Sequence, residues 1–175
     1  MCTVQFLGIS PIRKSRSLLW KIGKKIGSCE RGENPAMMVK MKSGFAVMAD
    51  NQFLPGYCVF LKYPQVTSIQ SLTLKERAQY FMDTTLVGEA IMKVCSPRIV
   101  NYSTLMNREA YLHTHIEARY DWEPEEYKYK PSWIYPEDER YHEKYAFSEE
   151  RHGELKKQMT DFLIERMSRD DYLAL

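Results

Sequence analysis

The segment from Tyr111 to Arg119 limits the possible folds of this chain more than any other stretch. Successive side chains of a β-strand point to opposite faces of the sheet, so the segment divides into two sets of alternate residues. One set is small or apolar: Leu112, Thr114, Ile116 and Ala118. The other set carries polar and titratable groups: Tyr111, His113, His115 and Glu117. The pattern predicts a strand with one face packed under a helix and the other face equipped for chemistry.

Further strands are predicted in the chain before this segment. The apolar runs Phe45 to Ala49 and Tyr57 to Leu61 flank the sequence DNQFLPG, whose Asp, Asn, Pro and Gly residues favour a turn. These two runs therefore predict a hairpin. A third strand candidate is Arg98 to Ser103, and the fourth is Leu112 to Tyr120, which contains the histidine pair.

Two helices complete the predicted architecture. The first begins at Thr73, because Thr73-Leu-Lys-Glu76 has the form of a capping box, and its apolar stripe continues to Val94. It ends near Pro97, since proline cannot continue a helix. The second helix begins near Ser148. A hairpin, a helix and more strands are typical of an α+β domain with a mostly antiparallel sheet and packed helices.

Composition limits the class of protein. The 175 residues suit one compact domain, and 25 basic against 23 acidic residues give a net charge of +2, which is not typical of a nucleic-acid-binding domain. No apolar run approaches the roughly 20 residues of a membrane span, and the first residues have no apolar segment of a secretory signal. Four scattered cysteines favour free thiols in a reducing compartment. We therefore predict a cytoplasmic protein that binds neither membranes nor nucleic acid.

Charge is distributed unevenly along the chain. Residues 1–34 are a basic N-terminal extension. Its stretch from Pro11 to Arg31 is interpreted as an amphipathic helix lying on its own domain, in preference to a surface for RNA or anionic lipid. Residues 35–136 hold the predicted strands and the histidine pair, and form the expected catalytic domain. Residues 137–175 are predicted to form a C-terminal helical extension.

The pair of histidines in His113-Thr-His115 is compatible with three roles. It could be structural, with both imidazoles hydrogen-bonded and inert. It could bind zinc or iron together with Glu117, but a metal normally takes three or four ligands, and His142 and His152 show no ligand spacing to the pair. It could act in nucleophilic catalysis at phosphorus, with one neutral imidazole attacking while its neighbour holds a phosphoryl oxygen.

The strand and the upstream hairpin together resemble the histidine triad (HIT) family of nucleotide hydrolases and transferases. The signature of that family is His-Φ-His-Φ-His-Φ-Φ, where Φ is apolar, often ending in Pro-Arg, with a PGH-type turn upstream. With Arg119 on the terminal arginine, His113 and His115 fall on the second and third histidines, and Tyr111 takes the place of the first. The sequence LPGYC matches the upstream turn, with Tyr57 in the place of its histidine.

The resemblance implies a reaction and a set of site residues. Members of the family attack an α-phosphorus and form a nucleotidyl-histidine, so His113 is the expected nucleophile and His115 the expected partner of a phosphoryl or bridging oxygen. The segments YDWEPEEY and PSWIYP resemble a bacterial subgroup of dinucleoside polyphosphate hydrolases, so a nucleotide, for example a diadenosine polyphosphate, is the expected substrate. The other expected substrate-binding residues are Asp50, Asn101, Asn107, Arg108 and Tyr111.

The resemblance also bears on assembly and cofactors. Relatives commonly form a two-fold homodimer with one continuous sheet, and the helix that begins at Thr73 is the expected contact surface, with Trp133 as a further interface candidate. Many relatives carry a zinc site built on an early C-x-x-C, which is missing here, so we expect neither a metal nor another cofactor.

Three residues depart from the family pattern. Tyr57 and Tyr111 replace histidines, and Glu117 stands on the reactive face where relatives usually carry an apolar residue. A carboxylate near phosphates repels substrate unless it is paired, and Arg108 and Arg119 are its candidate partners. Two alternatives to an enzyme therefore stay open: a nucleotide-binding or sensing protein with weakened catalysis, and a metalloprotein using the histidine pair and Glu117.

Overall fold

A computed structural model describes residues 25–107 and 110–174 of the chain. Its centre is one antiparallel sheet of five strands in the order β1-β2-β3-β5-β4. The strands are β1 (Met37–Met41), β2 (Gly44–Met48), β3 (Cys58–Lys62), β4 (Ile99–Ser103) and β5 (His113–Arg119). The α+β class and the mostly antiparallel sheet are thus confirmed.

Two long helices and several short ones surround the sheet. The α-helices are α1 (Leu74–Cys95), α2 (Glu125–Lys128), α3 (Glu137–Arg140), α4 (Glu149–Met167) and α5 (Asp170–Leu173). Residues 25–30 are also helical. None of the helices in the described ranges combines the length and the hydropathy of a membrane span.

The structure confirms the predicted hairpin and the predicted starts of the two long helices. The hairpin forms from β2 and β3, with Val47 paired to Val59. Thr73 caps α1 with a complete capping box to Glu76, and α1 ends at Ser96, which adopts a left-handed conformation. Ser148 caps α4. Three of the four cysteines lie in the described part, and all three are free thiols.

Strand β1 is the element that the sequence analysis missed. It is an edge strand, and it joins β2 through a tight turn at Lys42 and Ser43. Its sequence, MMVKM, has a single β-branched residue and no clear alternation, so it carries little β-propensity of its own. Pairing with β2 stabilises it.

The two faces of the sheet differ in what covers them. On the helix face, defined by Thr114, Ile116 and Ala118 of β5, α1 and α4 close a core that includes Phe60 and Met159. On the histidine face, defined by His113, His115, Glu117 and Arg119, the helical residues 25–30 pack through Ile26 and Cys29 on Phe45, Val47 and Leu61. The chain after β5 covers the rest of the histidine face, as its bonds to Glu117 and Arg119 show.

Candidate functional site

Strand β5 holds both imidazoles on the histidine face, between β3 and β4. His113 lies opposite Leu61, and His115 lies opposite both Val59 and Ser103. The two imidazole rings are 4.9 Å apart between centroids and nearly perpendicular, at 82°. The period-two alternation of an extended strand therefore places the rings in contact edge to face.

The proton of the His113 imidazole is fixed by the backbone carbonyl of Tyr111. Nδ1 lies 2.7 Å from the carbonyl oxygen of Tyr111, and a carbonyl only accepts hydrogen bonds, so Nδ1 carries the hydrogen and Nε2 keeps its lone pair. Burial lowers the pKa of His113, the bond to Tyr111 opposes that shift, and the charge of Lys25 adds to it. His113 is therefore neutral near pH 7, with a free lone pair on Nε2.

His115 is held by a tyrosine from the hairpin turn. Its Nδ1 lies 2.6 Å from the hydroxyl of Tyr57, at the end of the turn before β3. Burial lowers the pKa of His115 to about 4, with further lowering by the charges of His113 and Lys25. Burial also raises the pKa of Tyr57, so its hydroxyl stays protonated. With Tyr57 as donor to Nδ1, Nε2 of His115 carries the hydrogen and can donate it.

Lys25 is a charged residue of this site that the sequence analysis did not single out. It stands in the helical residues 25–30, and its Nζ lies 2.5 Å from Oδ2 of Asp50, just after β2. Asp50, predicted to bind substrate, is exposed and engaged by this lysine. In the sequence Lys25 is one of a run of basic residues, and only the packing of Ile26 on the histidine face distinguishes it from the others.

Glu117 is buried beside the pair rather than exposed to solvent. Its Oε1 accepts a hydrogen bond from the hydroxyl of Ser132. Burial raises the pKa of Glu117, while this bond and the charge of Arg119 oppose the shift. The predicted partner Arg108 lies outside the described residues. Among the residues that the structure describes, no three His, Cys, Asp or Glu side chains lie together as a metal site would require.

Arg119 is a structural centre, and its closest carboxylate is Glu123 rather than Glu117. Both side chains are almost completely buried, and the guanidinium makes bonds of 2.7 to 3.1 Å to the two carboxylate oxygens. It also donates to the carbonyls of Tyr127 and Lys130 and, at 3.2 Å, to the side-chain oxygen of Asn101. This residue ties the chain after β5 to the histidine face.

The remaining predicted residues are distributed around the pair. Asn101 lies on β4 opposite Glu117, so it shares the histidine face. Tyr111 contributes its backbone carbonyl to the site, through the bond to His113. Asn107 is exposed in the loop before β5. The structure thus brings His113, His115 and Asn101 to one face, with Asp50 linked through Lys25, and adds Tyr57 and Ser132.

Comparison with known proteins identifies the fold. No protein-family model matches the sequence, and no curated protein matches it either. Among solved structures, a histidine triad protein from Marinobacter aquaeolei aligns over 81% of this chain and 94% of its own, with 14% identity and a TM-score of 0.63. A hypothetical histidine triad nucleotide-binding protein from Sulfolobus tokodaii aligns over 85% and 96%, with 15% identity and a TM-score of 0.63.

A third similar structure is more distant. The diadenosine triphosphate hydrolase of Plasmodium falciparum aligns over 76% of this chain and 79% of its own, with 12% identity and a TM-score of 0.53. Similarity at such low identity reports the path of the backbone, not the activity. The antiparallel five-stranded sheet with its packed helices matches these structures, and the chain has the histidine triad fold.

Proposed function

We propose that this protein is a nucleotide phosphohydrolase or nucleotidyl transferase that attacks an α-phosphorus with Nε2 of His113. The observation that carries this proposal is the bond from Nδ1 of His113 to the carbonyl of Tyr111, which leaves Nε2 with a free lone pair. A neutral imidazole held in one tautomer beside a second imidazole is the arrangement that nucleophilic attack at phosphorus requires.

The reaction follows from these two rings. Nε2 of His113 forms a bond to the α-phosphorus while the bond from that phosphorus to the leaving group breaks, and the leaving group takes the electron pair. His115, through the hydrogen on Nε2, donates to a phosphoryl or bridging oxygen as negative charge develops there. Water or another acceptor then attacks the same phosphorus and releases its proton to the solvent. The bond from phosphorus to Nε2 breaks, its electron pair returns to Nε2, and the nucleotide leaves with neutral His113 restored.

The surrounding charges support an anionic substrate. Lys25 supplies a positive charge that acts on both imidazoles. Burial raises the pKa of Glu117, which favours the neutral form of its carboxyl and weakens its repulsion of a phosphate. The similar hydrolase of Plasmodium falciparum, named for diadenosine triphosphate, supports a dinucleoside polyphosphate as the substrate class.

The test uses release of a mononucleotide. The pure protein is incubated with diadenosine polyphosphates and with adenosine 5′-phosphoramidate, and products are separated by chromatography. We expect His113→Ala to lose about a thousandfold or more in kcat, because it removes the nucleophile, while His142→Ala, which changes an exposed histidine, keeps the wild-type rate. Quenching in alkaline denaturant should trap a nucleotidyl adduct on His113, because the phosphorus–nitrogen bond of such an adduct is stable in base and labile in acid. Equal rates in the wild type and His113→Ala would reject the proposal.

A second candidate function is nucleotide binding without turnover. It is favoured by Tyr57, which replaces a histidine of the family pattern and occupies Nδ1 of His115. It is also favoured by the burial of His113, whose side chain is nearly inaccessible. Calorimetry distinguishes the two candidates, since a sensor binds AMP and releases no product from any polyphosphate.

We also propose a homodimer and retain the predicted domain organisation and cytoplasmic location. Exposed apolar side chains on α1, among them Phe81 and Met92, support a contact between two copies. Light scattering on the purified chain tests this: a dimer mass supports the contact, and a monomer mass at micromolar concentration rejects it.

A further inference from the structure

A cavity of about 390 Å³ lies beside the histidine pair, on the side of β4. One wall is formed by β4 and the end of β5, and the other by the chain from Lys128 to Trp133. Ser103 and Glu117 line this cavity, and Ser103 is the residue paired with His115 across the ladder. The cavity therefore opens next to His115, on the far side of β5 from Lys25 and Asp50.

Arg98 provides an incompletely satisfied cation in the cavity wall. Its Nη2 donates to the carbonyl of Lys128 at 3.0 Å, but its Nε is buried and has no hydrogen-bond partner among the described residues. The nearest carboxylate oxygen, on Asp121, is 3.7 Å from that Nε, which is too long for a hydrogen bond. A buried charged donor without an acceptor is costly, and an anionic ligand would remove that cost.

Two exposed aromatic side chains line the same cavity. Tyr129 is 74% exposed and Trp133 is 45% exposed, and the guanidinium of Arg98 lies 5.3 Å from the centroid of the Tyr129 ring. Large aromatic rings left in solvent beside a cation are typical of sites that stack on a nucleobase and pair with its phosphates. The opposite wall adds Asn101, whose amide can donate to a phosphate oxygen.

The position of the cavity matches what the proposed reaction needs. In-line attack by His113 sends the leaving group away from Nε2, past the neighbouring imidazole that donates to the bridging oxygen. A small leaving group such as ammonia needs no room there. A nucleoside polyphosphate needs an anion site followed by a base-stacking site, and the cavity offers both in Arg98 and Trp133.

We propose that this cavity binds the leaving nucleotide of a dinucleoside polyphosphate, with Arg98 on its phosphate chain and Trp133 and Tyr129 on its base. The inference rests on the proposed function and deepens it, because it makes this protein selective for substrates with two nucleoside ends. Residues of the cavity contribute to binding and specificity, and none of them takes part in bond formation.

The experiment compares two substrates that share the attacked nucleotide but differ in the leaving group. Steady-state kinetics are measured with diadenosine triphosphate, which releases ADP, and with adenosine 5′-phosphoramidate, which releases ammonia. We expect Trp133→Ala and Arg98→Gln each to lower kcat/KM for the dinucleotide by about tenfold or more, and to leave the phosphoramidate within about twofold. The matched control is Trp122→Ala, an exposed tryptophan stacked on Tyr120 and outside the cavity wall.

The outcomes separate this inference from the proposed function. Suppose that the wild-type protein releases AMP from both substrates. If the cavity variants then leave kcat/KM unchanged for both substrates, or lower it equally for both, the cavity assignment is wrong and the hydrolase proposal stands. If the wild type releases nothing, calorimetry with diadenosine triphosphate and AMP decides. If Trp133→Ala then weakens binding of diadenosine triphosphate but not of AMP, the cavity assignment is supported and the hydrolase proposal is rejected. If Trp133→Ala changes the binding of both ligands equally, the cavity assignment is rejected as well.

Discussion

The helix face and the histidine face of one sheet are built from the same strands but covered by different kinds of chain. Helices α1 and α4 present long apolar stripes to the helix face, and their backbone groups are satisfied within the helices. The histidine face is covered by irregular chain and short helices, whose carbonyls and hydroxyls remain available. Tyr111, Tyr127 and Lys130 contribute carbonyls there, and Ser132 a hydroxyl.

This difference explains how β5 can keep His113, His115, Glu117 and Arg119 together on the histidine face. The helix face also buries one carboxylate, that of Asp83, where Ser43 and Tyr172 supply its hydrogen bonds. Burial of a polar group is tolerated when hydrogen-bond partners replace water. Covering a sheet with irregular chain supplies such partners at many angles, whereas a long helix supplies mainly hydrocarbon. The chemical face of this protein is therefore a consequence of the elements that cover it as much as of the residues of β5.

The largest effect on stability is expected from the buried arginine of the histidine face. Arg119→Ala should lower the free energy of unfolding by about 3–5 kcal/mol, because it leaves the carboxylate of Glu123 buried without its partner. Urea unfolding followed by circular dichroism measures this. Arg169→Ala removes an exposed pair with Glu165 and should cost under about 1 kcal/mol. A similar loss in both variants would contradict the structural role of Arg119.

A comparable loss is expected on the helix face, but with a different effect on activity. Ile116 is fully buried in the main core, and Ile116→Ala should lower the free energy of unfolding by about 2–5 kcal/mol. Its side chain points away from the histidines, so turnover per folded molecule should stay near the wild-type value. Loss of turnover at a temperature where the variant is folded would show that the two faces are coupled.

Protonation of His115, on the histidine face, should make the free energy of unfolding depend on pH. His115 has a pKa of about 4 in the folded chain against about 6.5 when unfolded, so the unfolded chain binds a proton first as the pH falls. The stability linked to neutral His115 is present in full above pH 6.5 and is lost as the pH falls through 4. Unfolding free energies measured from pH 7 to pH 4 should fall less steeply in His115→Gln than in the wild type. Identical slopes would contradict the lowered pKa.

A smaller change is expected from Lys25, whose charge acts on both imidazoles. Because the charge of Lys25 lowers both pKa values, Lys25→Gln should raise the pKa of His113 and of His115. Titration of the imidazole resonances by NMR measures this without requiring turnover. Lys157→Gln, a remote exposed change on α4, should leave both values where they are. Unchanged values in Lys25→Gln would remove this lysine from the site.

The smallest effect is expected at the start of α1, on the helix face. Thr73→Ala removes the capping box and should cost about 1 kcal/mol, with turnover unchanged. Thr85→Ala, at an exposed position inside the same helix, should be neutral or slightly stabilising because alanine favours the helix. Thermal unfolding of the two variants provides the comparison, and equal melting temperatures would contradict the contribution of the cap.

Several elements could be predicted because their signals are local. The alternation in β5, the turn residues of DNQFLPG and the capping box at Thr73 each lie within a few residues of one another. Strand β1 lacked such a signal, since an edge strand with one β-branched residue is defined by the partner that it pairs with. The roles predicted for Asn107 and Arg108 depended on a loop before β5, and sequence alone does not fix the direction in which a loop side chain points.

The amino-acid sequence by itself determined that this chain has a strand with two unlike faces, a hairpin and two amphipathic helices, because periodicity and turn chemistry act over short distances. Tertiary structure decided which atoms meet. Tyr57 reaches His115 across 58 positions, and Lys25 reaches Asp50 only because Ile26 packs on the sheet. The tertiary structure also decided the protonation states of the imidazoles. A pKa depends on burial and on neighbouring charges, and only folding brings these together.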